Sequence, residues 1–146
     1  MAIVLERHMR AALAALPSAA SALRDALAAE HVDERTIHAL DLALEELATN
    51  TIRHGYPGGD AVQHELEITL HVSPNEVRLV IEDDAQPFDP LAHRVPLRFR
   101  DLASASVGGR GIDMVRRVVP IITYRRTPRG NAIELAIARL ADSPGS

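Results

Sequence analysis

The chain has 146 residues, 47% of them hydrophobic and 25% charged, enough for one domain with a sizeable core. It contains no cysteine and no lysine, which excludes disulfide frameworks, thiolate metal sites, cysteine nucleophiles, Schiff-base chemistry and the lysine of a Walker phosphate loop. A net charge of −4 with two Phe, two Tyr and no Trp gives neither the positive field nor the stacking rings of a nucleic-acid binder.

In chain order, Ile3 to Met9 predicts a short strand. Pro17 and Ser18 read as a helix start, and Ala19 to Glu30 is rich in strong helix formers. His31-Val32 ends that helix, and Asp33 suits the N-cap of the next one. There Ile37, Leu40, Leu44, Leu47, Ala48 and Thr51 recur at spacings of three and four, forming one apolar stripe that ends at Gly55. The period then changes to two. Leu66, Ile68, Leu70 and Val72 alternate with polar neighbours, Ser73-Pro74-Asn75 turns, and Val77, Leu79 and Ile81 alternate again. A second hairpin is expected from Ile121 to Arg126, a turn at Pro128-Arg129-Gly130-Asn131, and a strand carrying Ile133, Leu135 and Ile137. An irregular stretch, Phe88 to Val107, and a short helix from about Gly111 to Val119 lie between the hairpins. Paired strands with helices grouped apart predict an α+β sandwich. One domain over residues 1–140 and a frayed tail over 141–146 are expected. No apolar run approaches the roughly 20 residues of a membrane helix. The first ten residues also lack the charged-then-apolar order of a signal peptide. A soluble cytoplasmic domain is the resulting expectation.

Charge is uneven along the chain. Residues 1–93 hold 6 Arg against 16 acids, whereas residues 94–130 hold 9 Arg against Asp101 and Asp113. A solvated basic face and a bound anion both account for this, and asymmetry alone does not choose.

Three groups of residues offer chemistry. On the second helix Glu46, Asn50 and His54 stand at i, i+4 and i+8 and form a polar stripe beside the apolar one. A solvated face explains Glu46, but Asn is a weak helix former that needs a reason mid-helix. An amide oxygen can coordinate a hard cation, and a carboxylate one turn away can accept a proton. Next, Glu82-Asp83-Asp84 ends an apolar strand, as charged edge protection or as a carboxylate for a ligand amine. Third, Val107-Gly108-Gly109-Arg110-Gly111 opens a helix, as a hinge or as a cradle of free N–H groups for an anion.

The order of these groups is more specific than any one of them. E-x-x-x-N on a helix, a strand ending in D-x-x-x-x-F, then G-G-x-G before a helix resembles the nucleotide boxes of the GHKL ATPase superfamily. The carrying residues are LALEELATNTIRHGYP (42–57), VIEDDAQPFDPL (80–91), GGRGIDMVRRVV (108–119) and YRRTPRGNAIEL (124–135). Within it the chain is most similar to the stand-alone anti-sigma-factor serine/protein kinases. The resemblance implies a two-layer α/β sandwich of the Bergerat, histidine-kinase-like ATPase kind, with a mixed, mostly antiparallel sheet and helices on one face. It implies ATP and Mg²⁺ as cofactors, with Asn50 on the metal and Glu46 orienting or deprotonating the attacking hydroxyl. Asp83 would accept from the adenine amino group, and Gly109 and Gly111 would let the backbone wrap the phosphates. His54, Phe88 and Arg110 complete the implied nucleotide-binding set, and Asp89 to Val107 would form a lid carrying Arg94, Arg98 and Arg100. The implied partners are a STAS-domain anti-sigma-factor antagonist, phosphorylated on serine or threonine, a sigma factor held in turn, and a second copy of the chain.

Two positions depart from the family pattern. Asp83-Asp84-Ala85 stands where Asp-x-Gly is usual, and Glu134 follows Asn131-Ala132-Ile133 where Thr or Ser is frequent. Both are expected at the adenine end of the site and bear on nucleotide affinity more than on fold; Glu134 reads either as facing solvent harmlessly or as spoiling the pocket. They support a second reading, a module of the same fold that binds ATP weakly and acts by sequestering a partner. A detached histidine-kinase ATPase domain is a third reading, disfavoured by the absence of a phosphoacceptor helix before it.

Overall fold

The computed structural model describes residues 2–56, 63–89 and 111–139. Strand β1 runs from Ala2 to Arg10, slightly longer than its sequence predicts. A 3-10 turn over Leu13–Ala15 leads into helix α1, Leu16–Ala29, with Pro17 in its first turn, where a missing N–H leaves no hydrogen bond unmade. The helix closes on His31, at φ 56° the one non-glycine residue with positive φ among the described residues. His31 N–H donates to the Ala28 carbonyl (3.0 Å) and Val32 N–H to that of Leu27 (3.1 Å). That pair of bonds is the Schellman closure, and it normally carries glycine where His31 stands.

Helix α2 spans Glu34–His54. Asp33 caps it as expected, accepting from Thr36 N–H (3.1 Å) and Thr36 Oγ1 (2.8 Å). The Thr36 hydroxyl holds the Asp33 carboxyl below its ordinary value. Leu40, Leu44, Leu47 and Ala48 are fully buried, and Ile37 at the edge of the stripe is partly so. Truncating one of these leucines to alanine costs about 2–5 kcal/mol.

Strands β2 (Glu65–Val72) and β3 (Glu76–Asp83) form the first hairpin, and β4 (Ile121–Arg126) and β5 (Asn131–Ala138) the second, with helix α3 (Gly111–Val118) preceding it. The sheet order is β1-β2-β3-β5-β4. Each of its four junctions is antiparallel. Alternation sorts the side chains by face. Leu66, Ile68, Leu70, Val77, Leu79, Ile81, Ile133 and Leu135 are buried beneath α1 and α2, so the fold is the expected two-layer sandwich.

The opposite face carries the residues between them, and this chooses between the two readings of Glu134. Glu134 lies directly across from Val80, out of phase with Ile133 and Leu135. Its carboxylate meets Arg78 Nη1 at 3.0 Å, and Arg78 Nη2 meets Glu76 at 3.0 Å. Glu134 is thus a cross-strand ion-pair partner on the side of the sheet away from the helices, and it does not enter the adenine end of the site.

The same pairing sets the site. Asp83, the last residue of β3, lies opposite Asn131, the first of β5, on the face turned to the helices. A Cβ on Gly130 would collide with the Asp83 carbonyl, so the β4–β5 turn packs its backbone directly onto the end of β3.

Candidate functional site

Two groups of residues carry the candidate chemistry, one on α2 and one at the end of β3. The first belongs to α2. Asn50 is only 7% exposed, yet its amide has no hydrogen-bond partner among the described residues. Its amide atoms are not sealed from solvent, so the group stays open to a ligand. One turn earlier, the half-buried Glu46 carboxylate occupies the space that a side chain on Gly111 would need. Burial pushes the Glu46 carboxyl above its ordinary value, and neighbouring Glu45 adds to the shift. Glu46 and Gly111, named separately by the sequence, therefore meet where α3 begins. Its first turn presents backbone N–H groups and the positive end of the helix dipole.

The second group surrounds Asp83. Its Oδ1 accepts from Asn131 Nδ2 (2.7 Å) and from Ala85 N–H (2.9 Å), while Oδ2 takes no hydrogen bond among the described residues. Burial raises the Asp83 carboxyl against the lowering effect of the Asn131 hydrogen bond. Asn131 is 1% exposed and ties the following loop down. It donates to the Gln86 carbonyl (3.0 Å) and accepts from Tyr124 Oη (2.6 Å), Phe88 N–H (3.3 Å) and Arg126 Nη1 (3.3 Å). Arg126 Nη1 also donates to the Ala85 carbonyl at 2.7 Å. Phe88, so held, places its ring 6.4 Å from that of His54 at the end of α2. The Ala85 methyl is buried against the Gly55 turn, and its backbone does not take the positive φ that favours glycine. The expected conflict at Ala85 is therefore absent from the backbone.

The run of three acids is resolved by direction. Glu82 faces the open side of the sheet, Asp83 the helices, and Asp84 leaves the strand toward Tyr56 and His64. Tyr56 Oη donates to Asp84 Oδ1 (3.1 Å), and His64 Nδ1 lies 3.0 Å from Asp84 Oδ2. The two rings stack at 4.7 Å. Burial opposes the Asp84 charge, but the bonds from His64 and Tyr56 outweigh it and hold the carboxyl low. Burial pushes the Tyr56 phenol far up, so it remains a donor. This cluster joins the end of α2, the start of β2 and the loop after β3.

Gly109 and Arg110, the lid arginines Arg94, Arg98 and Arg100, and the tail 141–146 lie outside the described residues. Among the described residues no group of three His, Asp or Glu is arranged to hold a metal ion alone. Asn50 offers a hard cation one neutral oxygen donor, and phosphate oxygens and water would have to complete the shell.

Asn131, Tyr124, Tyr56 and His64 were not assigned roles by the sequence. Gly130-Asn131 reads as a turn, and only the register shows that the Asn side chain points inward two residues before Ile133.

The fold is that of a two-layer α+β sandwich with an antiparallel sheet. Residues 9–137 match the histidine kinase-like ATPase domain model, and the chain belongs to that family. It is 31% identical over 97 residues, 66% of each chain, to the serine/threonine-protein kinase BtrW of Bordetella bronchiseptica, so it matches just under two thirds of that relative's length. Among solved structures it is similar to the RsbU and RsbW domains of a Mycobacterium tuberculosis protein. There the TM-score is 0.62 and the identity 19%, over 94% of this chain and 34% of that one. It is also similar in fold to the SiaB-SiaC complex of Pseudomonas aeruginosa, at TM-score 0.56 and 13% identity, over 94% of this chain and 91% of that one. No described helix is long and apolar enough to cross a membrane.

Proposed function

We propose that this chain binds Mg-ATP and transfers its γ-phosphoryl group to a serine or threonine hydroxyl of a STAS-domain anti-sigma-factor antagonist, as a kinase of the anti-sigma type that also sequesters a sigma factor. The observation that carries the reading is the meeting of Glu46 with Gly111 beside the partnerless Asn50. It sets a carboxylate of raised proton affinity, a free amide oxygen and the start of a helix at one place. In this reading Asp83 Oδ2 accepts from the base amino group and fixes one end of the nucleotide. The first turn of α3 faces the phosphates. Glu46 accepts the proton of the attacking hydroxyl as its oxygen bonds to phosphorus, and the bridging oxygen leaves with ADP. A magnesium ion, when bound, neutralises phosphate charge, and Asn50 is the residue that would help to hold it. The name of the Bordetella relative supports a protein hydroxyl as acceptor, and the Mycobacterium and Pseudomonas neighbours support a regulatory partner. The alternative is a module of the same fold that binds ATP weakly and acts by sequestration; it draws on Ala85 and Glu134, and Glu134 is engaged with Arg78 while Ala85 takes no positive φ, which favours the kinase reading.

The test is calorimetry with Mg-ATP, with Asn50→Ala as control, followed by transfer of labelled phosphate to a STAS-domain protein. Binding that Asn50→Ala weakens at least about tenfold in magnesium supports the reading. No binding by the native chain at millimolar Mg-ATP overturns it.

A further inference from the structure

The five hydrogen bonds of the Asn131 side chain reach three separate pieces of chain: the end of β3, the loop Gln86 to Phe88, and strand β4. Only one orientation of the amide satisfies them. Its NH2 group faces two acceptors, Asp83 Oδ1 and the Gln86 carbonyl. Its oxygen faces three donors, from Tyr124, Phe88 and Arg126. A flipped amide would set oxygen against carboxylate oxygen on one side and N–H against N–H on the other. The partners with a single role select the observed orientation: the Asp83 carboxylate and the Gln86 carbonyl only accept, and Phe88 N–H and Arg126 only donate, while the Tyr124 hydroxyl, at 2.6 Å the shortest of the five contacts, reinforces it.

The consequence falls on Asp83. Asn131 and the Ala85 N–H both bind Oδ1, which restrains the carboxylate and leaves Oδ2 as the oxygen without a hydrogen bond among the described residues. Without Asn131 the carboxylate keeps one anchor, rotates more freely and presents its oxygens in more than one direction.

We propose that Asn131 is a positioning residue for base selection: held in one orientation by its five partners, Tyr124 the nearest of them, it leaves Asp83 Oδ2 to the exocyclic amine of a 6-aminopurine nucleotide. This rests on the nucleotide-binding reading above and adds to it the residue that makes the site choose among purines. A group that acts by aiming an acceptor affects only ligands that carry the matching donor. A group that merely braces the loop affects all ligands alike.

The experiment measures affinity for two nucleotides, ATP and purine riboside triphosphate, which lacks only the 6-amino group. The native chain, Asn131→Ala and Tyr124→Phe are compared, with melting curves to show that each variant folds. The native chain prefers ATP by about tenfold or more, the worth of one hydrogen bond to a carboxylate. In Asn131→Ala that preference falls at least about threefold. In Tyr124→Phe, which removes one oxygen and opens no large cavity, it falls in the same direction by a smaller factor. Should Asn131→Ala fail to fold, Tyr124→Phe decides alone. Parallel weakening of both nucleotides with the preference intact overturns the role of Asn131 and leaves the nucleotide site standing. A native chain that binds neither nucleotide overturns the site itself and this role with it.

Discussion

The Glu46 carboxylate lies where a side chain on Gly111 would have to go. Gly111 is the first residue of α3, and Glu46 sits in the second half of α2, so the two helices pack closely at this point. Gly111→Ala should push the carboxylate aside while sparing the helix, since alanine is the better helix former by up to about 1 kcal/mol. The expected result is a melting temperature close to native with phosphoryl transfer reduced by about one to two orders of magnitude, the cost of misplacing a reacting group by roughly an ångström. Native transfer rates in this variant would show that Glu46 works equally well from another position.

The raised proton affinity of Glu46 gives the reaction a defined pH dependence. A general base works only when deprotonated, so the rate falls as pH drops through its pKa. Burial, reinforced by Glu45, places that pKa above the ordinary glutamate value of about 4.3. The acid limb of kcat against pH is therefore expected to have its midpoint above that value. Glu46→Gln should lose about two to four orders of magnitude in rate and abolish the limb. An acid limb that persists in Glu46→Gln would assign it to another group.

Much of this fold follows from period and capping. The stripe on α2, the Asp33 cap and both hairpins are visible because a change from spacing three-and-four to spacing two is a strong local signal. The site divides differently. Glu46, Asn50 and Asp83 stand out as polar residues where a helix face or strand end gives them no local reason, but nothing local says that Glu46 meets Gly111. That contact depends on how α3 docks on α2. The position of Glu134 was available in principle, since alternation from Ile133 and Leu135 sends it to the far face. Its pairing with Arg78 was not, because register between distant strands is a tertiary property. Asn131 was hidden for the same reason: an Asn after Gly reads as a turn until the strand opposite it is known.

His31 carries a left-handed backbone in a closure that glycine normally fills. The imidazole is exposed, so little packing opposes the cost of the left-handed conformation, which is about 1–2 kcal/mol for a residue with a Cβ. His31→Gly relieves that cost but gains chain entropy in the unfolded state, which returns part of it. A net stabilisation of about 0.5–1 kcal/mol is expected in urea or thermal unfolding, with nucleotide affinity unchanged because the turn lies at the α1–α2 junction. A destabilised His31→Gly would mean that the imidazole makes a contribution larger than the strain.

Asp83 sets stability against binding. Its carboxyl is raised by burial, so the folded state holds its proton more tightly than the unfolded chain does. For such a group, stability falls as pH rises from the unfolded pKa through the folded one, and the full penalty is present at neutral pH. Asp83→Asn removes the buried charge while its amide oxygen still accepts from Asn131 and Ala85. The variant should therefore melt higher than native at pH 7.5, with the difference shrinking toward pH 4 as the native carboxyl takes up its proton. The same change replaces the remaining acceptor Oδ2 with an NH2 group, which faces the base amine donor to donor. ATP affinity should fall by about tenfold to a hundredfold, the range for losing a hydrogen bond to a charged partner. Melting curves at the two pH values and calorimetry at pH 7.5 check both halves on one preparation. A variant that is no more stable at pH 7.5 would show that the native carboxylate is better solvated than its burial implies, and undiminished ATP binding would remove Asp83 from the base-binding role.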